Sequence, residues 1–379
     1  MMESLYAKVG SLSEVEHGGK AFITARVTPV RYGMEAICTI ISDDGKRDTV
    51  DNLFSLAEES NIKITIAQVI EFIDCIDILK EYEDKGHLEF INHSWSHLCM
   101  EDESIPKSVL QHELLDAKLF MEENFCTPQI AFVPPNNQLS KAAYNVLNGC
   151  YYAIRRWKRL LNDLSPLHGN EFMQWLNLGC EGIKDVDSTQ ERNQWVDDSI
   201  AQNKWLIEMW HDVNKEEFLN HSYQELVIHE AKEHIAHIVK RQQEGKLWIA
   251  SFTEAVRYIY ERQTASISVE RVSNELWKLS LTKGITEKDN RFDMPLTVRI
   301  DIQERCDIAN IHYDDGRMEK IQVSKDGVAL VELLPGHSAM LKIGNKTSML
   351  RSYLLIALWR LRKVLQKYFG FLNLMKQSL

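Results

Sequence analysis

The amino-acid sequence predicts an α/β fold: a parallel sheet, open or closed into a barrel, then a small all-β domain and a basic amphipathic helix. Three observations predict it. Over residues 35–263, apolar β-branched runs take turns with amphipathic runs of crossover length, the order that specifies parallel strands joined by helices. Residues 264–345 switch to short alternating runs bounded by turns, the mark of an antiparallel domain. From 346 to 379 a helical period returns.

Residues 1–34 form an N-terminal segment ahead of the first buried run. "EAICTII" is then a strand and "TVDNLFSLAEESN" a helix. "IKITIAQVI" and "HLEFINHS" are strands on either side of the helix "FIDCIDILKEYEDKG". The helix "SVLQHELLDAKLFMEENF", the strand "PQIAFVPP", the helix "SKAAYNVLNG" and the strand "YYAIRR" follow. After an irregular stretch come "MQWLNLG", "ERNQWVDDSIAQN", the strand "KWLIEMWHDV", a solvated outer helix at 222–245, "KLWIAS" and the helix "FTEAVRYIYERQ". The β domain is read from "ASISVERV", "LWKLSLTKG", "LTVRIDI", "ANIHYDD", "KIQVSKDGVALVELL" and "SAMLKIG".

In the tail, Leu354, Leu358, Leu361, Leu365, Tyr368, Leu372 and Met375 recur at steps of four and three, the spacing of one helical face. Residues 351–379 hold six Lys and Arg and no acid, a formal +6, so the chain's −11 leaves −17 for the remainder. Such a helix either lies on an anionic membrane surface or docks on its own protein or a second copy through 348–379. It is not a span, because Arg360 interrupts the apolar run well short of ~20 residues.

Composition narrows the function. The balance of 44% hydrophobic and 26% charged residues suits a globular protein, and the acidic net charge argues against a nucleic-acid partner. Seven scattered cysteines without a C-x-x-C imply free thiols in a reducing compartment. The N-terminus lacks the apolar core of a signal peptide. The expectation is a cytoplasmic protein, with the inner membrane face as the alternative site.

Chemistry in such a sheet sits at the C-terminal ends of the strands. There the first strand ends on Asp43 and Asp44, followed by Gly45. Adjacent like charges cost stability unless something positive or protic lies between them. "HLEFI" leads into His93 and His97, which at a spacing of four can share one face of a helical turn and close on one ion. "KWLIEMW" leads into His211. Two imidazoles and one carboxylate leave a position open for water, as in a hydrolytic metal site. His229-Glu230 superficially suggests H-E-x-x-H, but residue 233 is Glu.

These residues resemble the motifs of the polysaccharide deacetylase family, the carbohydrate esterases (family 4) that include chitin and peptidoglycan N-deacetylases. Ile41-Ser42-Asp43-Asp44-Gly45 is similar to its T-F-D-D-G, His93-Ser94-Trp95-Ser96-His97 matches H-[ST]-x-x-H, and "LIEMWHDV" resembles its last motif. "FTEAVRYIYER" is similar to its closing helix. The likeness covers about residues 35–262 and implies that family's distorted (β/α) barrel, with fewer strands than the eightfold kind. It further implies that Asp44, His93 and His97 bind a divalent metal, zinc first, with cobalt, nickel or manganese as alternatives. Asp43 would be the general base and His211 the acid that protonates the leaving nitrogen. The implied substrate is an N-acetylated sugar or polysaccharide, with O-acetyl or formyl removal by the same machinery as alternatives.

The third motif departs from its pattern, R-x-P-[FY]. Val133 stands where the arginine falls and Asn136 where the aromatic falls. Either Arg155 or Arg156 supplies the guanidinium from another strand, or Asp43 is held differently. A backbone N–H near Pro135-Asn136 would steady the oxyanion, and Asp185 and Asp187 are candidates for tuning His211. Trp95, between the histidines, and Trp210 and Trp205 are candidate sugar platforms, with core packing as the alternative for the last two. These departures keep a second class open: a carbohydrate-binding protein that kept the barrel and lost turnover.

Overall fold

The computed structural model describes residues 23–147, 149–157, 161–164, 178–184, 187–214, 225–284, 290–303, 308–344 and 355–361. The chain divides into two units, Met34–Ile259 and, together, Met1–Gly33 with Tyr260–Leu379.

In the larger unit, Ala153–Ile154, Ala131–Phe132, Leu88–Asn92, Ile64–Gln68, Ala36–Ser42 and Lys204–Trp210 lie side by side in that order, all parallel. Glu181–Gly182 adds a parallel strand to Lys204–Trp210, and Leu247–Ile249 pairs with the first half of Ala36–Ser42. Asn162–Asp163 runs antiparallel. The sheet curls into a half-barrel with helices on its outer face. Because strand side chains alternate, parity in the sequence decides which side each one takes. Cys38, Ile40, Ile64, Ile66, Phe90, Leu206 and Trp210 pack outward with Val50, Leu53, Met121, Ala231 and Ile235. The odd-numbered residues face in: the Trp205 indole N–H donates to Thr39 Oγ1 at 3.0 Å, and Thr65 Oγ1 donates to Glu89 Oε1 at 2.9 Å. Ser251 Oγ (2.7 Å) and Thr253 N (2.9 Å) also donate to Glu89, at the start of the helix Phe252–Thr264.

One expectation changes here. The helix at 222–245 is observed as Ile228–Gln243, and it is not solvated throughout. His234 is fully buried, 2.9 Å from Glu208 Oε1, with its other ring nitrogen 2.8 Å from Asn193 Oδ1. A charge-assisted partner on the sheet's outer face allows a histidine to sit in that core. The run "MQWLNLG" lies almost wholly outside the described residues.

The smaller unit holds two antiparallel sheets. One is ordered Ile267–Ser273, Leu276–Leu281, Ser338–Gly344, Ile308–Tyr313, Met318–Ile321. The other places Leu296–Ile302 between Val328–Leu333 and Ile23–Val27, so part of the N-terminal segment is an edge strand of this unit. Residues 355–361 are helical. Ile356, with Leu355 and Trp359, packs on Leu276 and Met340, while Leu358 and Leu361 are exposed. The face read from the leucine spacing is therefore not the docked one in this stretch; the rest of the tail lies outside the described residues. Among the described residues, no helix is long and apolar enough to cross a membrane.

Candidate active site

The same parity aims one side chain from each of several strand ends into the barrel mouth. Asp43 follows Ser42, His93 follows Asn92, Arg155 follows Ile154 and His211 follows Trp210. Asp43 is 4% exposed, and its backbone N–H donates to Trp210 O at 2.9 Å. Asp44 then turns back on itself with φ 73°, so two adjacent acids face different partners. Gly45 follows at φ 71°, and a Cβ there would overlap the Gln68 carboxamide. That buried amide donates to Val69 O at 2.8 Å and Gly45 O at 3.3 Å, locking the turn. Gln68 carries no ligand-type signal, so motif reading passes over it.

Asp44 Oδ1 lies 3.7 Å from His93 Nε2 and 3.4 Å from His97 Nε2, and the ligand atoms of the three residues fall within 4.8 Å of one another. Burial pushes the Asp44 carboxyl up, but the neighbouring imidazoles outweigh this and hold it well below the carboxylate range. His93 Nδ1 sits 2.6 Å from Val133 O, which fixes the tautomer and leaves the Nε2 lone pair for a ligand. Two nitrogens and one oxygen converging in this way fit a divalent cation with an open position.

The histidines are not on one helical turn. Residues 93–99 form a loop with Ser94 and His97 in the left-handed region, φ 74° and 63°. Polar groups impose this shape where helix bonds would have been. Ser94 N donates to Asn92 Oδ1 at 2.7 Å, and His97 N donates to Ser94 Oγ at 3.0 Å. Buried Glu113, in the π-helical turn His112–Asp116, accepts from Trp95 N, Ser96 N and Ser96 Oγ at 2.6–3.1 Å. Such turns recur near functional sites, yet in sequence Glu113 looks like any surface glutamate.

Arg155, completely buried, donates from Nη2 to Asp43 Oδ2 at 2.8 Å and to Asn137 Oδ1 at 3.1 Å. Asn137 ends the turn Pro135–Asn137, where it and Asn136 both take left-handed backbone. Arg156 goes elsewhere, donating to Asn137 O and Tyr144 Oη. His211 Nε2 lies 3.9 Å from Asp43 Oδ2, and burial holds its imidazole below the ordinary histidine value. Asp43 Oδ1, Arg155 Nε and Nη1, and His211 Nδ1 are buried with no partner among the described residues. Orphaned polar atoms of this kind mark a place that water or substrate completes. At the rim, Lys46 Nζ is held 3.2 Å from Asp212 Oδ1 and 3.6 Å from Asp44 Oδ2.

Other candidates are not brought to this site. Trp210 is 1% exposed and donates to Glu208 Oε2 on the outer face, where its even position sends it. Trp205 is buried in the interior. Trp95 packs on His112 and Phe120, ring centroids 4.4 and 5.9 Å away. Pro134 and Pro135 have no N–H, which leaves Asn136 as the backbone donor in that turn. Asp187 accepts from Lys184 N at 3.0 Å, and Asp185 lies outside the described residues.

Residues 35–154 match the family model for polysaccharide deacetylase. Among solved structures, the chain is similar to a family 4 acetyl xylan esterase from Clostridium thermocellum in complex with cobalt (18% identity, 58% of this chain and 89% of that one, TM-score 0.39). It is also similar to the Xyl-CE4 domain of a multidomain xylanase from the hindgut metagenome of Trinervitermes trinervoides (14%, 58% and 88%, 0.38). A third likeness is to a CE4 family pseudoenzyme from Bacillus anthracis (13%, 58% and 65%, 0.39). No curated protein matches the chain.

Proposed function

We propose that the chain is a metal-dependent hydrolase that removes an acetyl group from an N-acetylated sugar or glycan. The observation that carries it is the side-by-side placement of two constellations: Asp44, His93 and His97 converging on one point, and Asp43 held between Arg155 and His211. Asp44 Oδ1 and the Nε2 atoms of His93 and His97 would hold a divalent cation, whose chemistry is Lewis-acid polarisation of a water and of the acyl oxygen.

The remaining work falls to residues of this chain. Asp43 presents Oδ1, without a partner among the described residues, to take the proton of the attacking water, while Arg155 holds Oδ2 and fixes the carboxylate plane. An amine leaves poorly as an anion, so the departing nitrogen needs a proton. His211 Nε2 lies 3.9 Å from Asp43 Oδ2, which supports it as the group that carries that proton over. The Asn136 N–H is the backbone group offered for oxyanion support. Arg155 supports a working base despite Val133 in the third motif.

The test is acetate release from N-acetylglucosamine oligomers, with chelator and after zinc re-addition, for wild type and Asp43→Asn. Release that needs metal and Asp43 supports the reading; none from wild type under any metal condition overturns it. Val133 and Asn136 favour a second reading, a glycan binder without turnover, which predicts sugar binding with no release from either protein.

A further inference from the structure

We propose that the turn Ile70–Phe72 is a sugar subsite, with the Phe72 ring bearing the apolar face of a pyranose and Glu71 accepting from its hydroxyls. The proposal rests on the glycan-directed reading above and deepens it, because neither Trp95 nor Trp210 offers an open ring at the site. Phe72 does. It is 39% exposed, whereas Ile70 in the same turn is 7% exposed. A single exposed aromatic is unremarkable in itself, so its placement decides the matter. Ile70 N donates to Ser94 O at 3.3 Å and Glu71 N to Trp95 O at 3.0 Å, binding the turn to the loop that carries His93 and His97. The Phe72 ring lies 20° from the plane of His97, centroids 6.5 Å apart. An exposed aromatic ring thus stands, near-parallel, beside an imidazole of the candidate metal centre.

Glu71, the residue before Phe72, is exposed, and its carboxylate has no side-chain hydrogen bond among the described residues. A cation centre alone has no use for an exposed phenyl ring. A pyranose has one: its C–H face packs on an aromatic while its equatorial hydroxyls need acceptors at the edge.

The experiment is calorimetric titration of the N-acetylglucosamine trimer into zinc-loaded full chain carrying Asp43→Asn, which prevents turnover, alone and with Phe72→Ala or Phe72→Tyr. Metal content is measured in each. The expected result is about tenfold weaker binding for Phe72→Ala, near-complete recovery with Phe72→Tyr, and unchanged metal content. Equal affinity for the Phe72→Ala protein overturns the subsite. No trimer binding with Phe72 intact overturns the subsite and the glycan reading together. Weakened binding beside a wild type that releases no acetate supports the subsite and removes only the hydrolase reading.

Discussion

Asp43 and Asp44 are adjacent, yet the left-handed backbone at Asp44 turns them toward different partners, and substitution should separate the roles proposed for them. Asp44→Asn should lower zinc affinity by at least about tenfold, read by competition with a chromogenic chelator. Asp43→Asn should leave zinc binding intact and lower acetate release by roughly a hundredfold or more. Arg155→Met would strand the buried Asp43 carboxylate without its cation, a loss of about 3 kcal/mol or more, measurable by urea denaturation. The thiols offer an independent check on the burial pattern. Cys99 and Cys126 are exposed, whereas burial pushes the Cys180 thiol up to about 11 and raises Cys38 well above its ordinary value. Alkylation at pH 8 should modify the first pair quickly and spare the second in folded protein, as peptide mapping would show.

At the scale of elements, the turn after Ala36–Ser42 is the most constrained piece of the site. Gly45→Ala meets both a positive φ and the buried Gln68 amide, so it should cost about 1–3 kcal/mol and weaken zinc binding by displacing Asp44. An unchanged melting temperature and zinc affinity would contradict this account of the turn. The strand runs were legible because buried parallel strands are continuous apolar segments, and His93, Asp43 and His211 fall just past such segments. The shape of the histidine loop was not legible. A spacing of four fits a helix as readily as this loop, and the choice rests on Asn92, Ser94 and Glu113, whose side-chain bonds no local pattern announces. Arg155 was one of two adjacent candidates; strand alternation turns it inward and Arg156 away.

For the molecule as a whole, acid should destabilise the metal-free protein. Burial holds His97 and His211 below the ordinary histidine value, so the unfolded chain binds more protons as the pH falls through about 6.5. Stability from these two groups is present above that value and is lost below it. Thermal melts of chelated protein between pH 8 and pH 5 should show a falling midpoint, and a flat profile would contradict the burial of these imidazoles. Zinc at a hundredfold excess over its dissociation constant should add ~2.7 kcal/mol, read as a rise in the melting midpoint of the full chain.

The sequence by itself determined the order of strands and helices, the switch to antiparallel pairing after residue 263, and the Asp-Asp, His-x-x-x-His and His set at strand ends. Hydrophobic period and residue chemistry are local properties. Tertiary structure alone decided that Ile23–Val27 joins the far end of the chain as an edge strand, that His234 is buried against Glu208, and that Arg155 reaches Asp43 from a strand with three others between them in the sheet. Each of these pairs residues tens to hundreds of positions apart, and long-range partners are chosen by packing and charge compensation that no window of sequence contains.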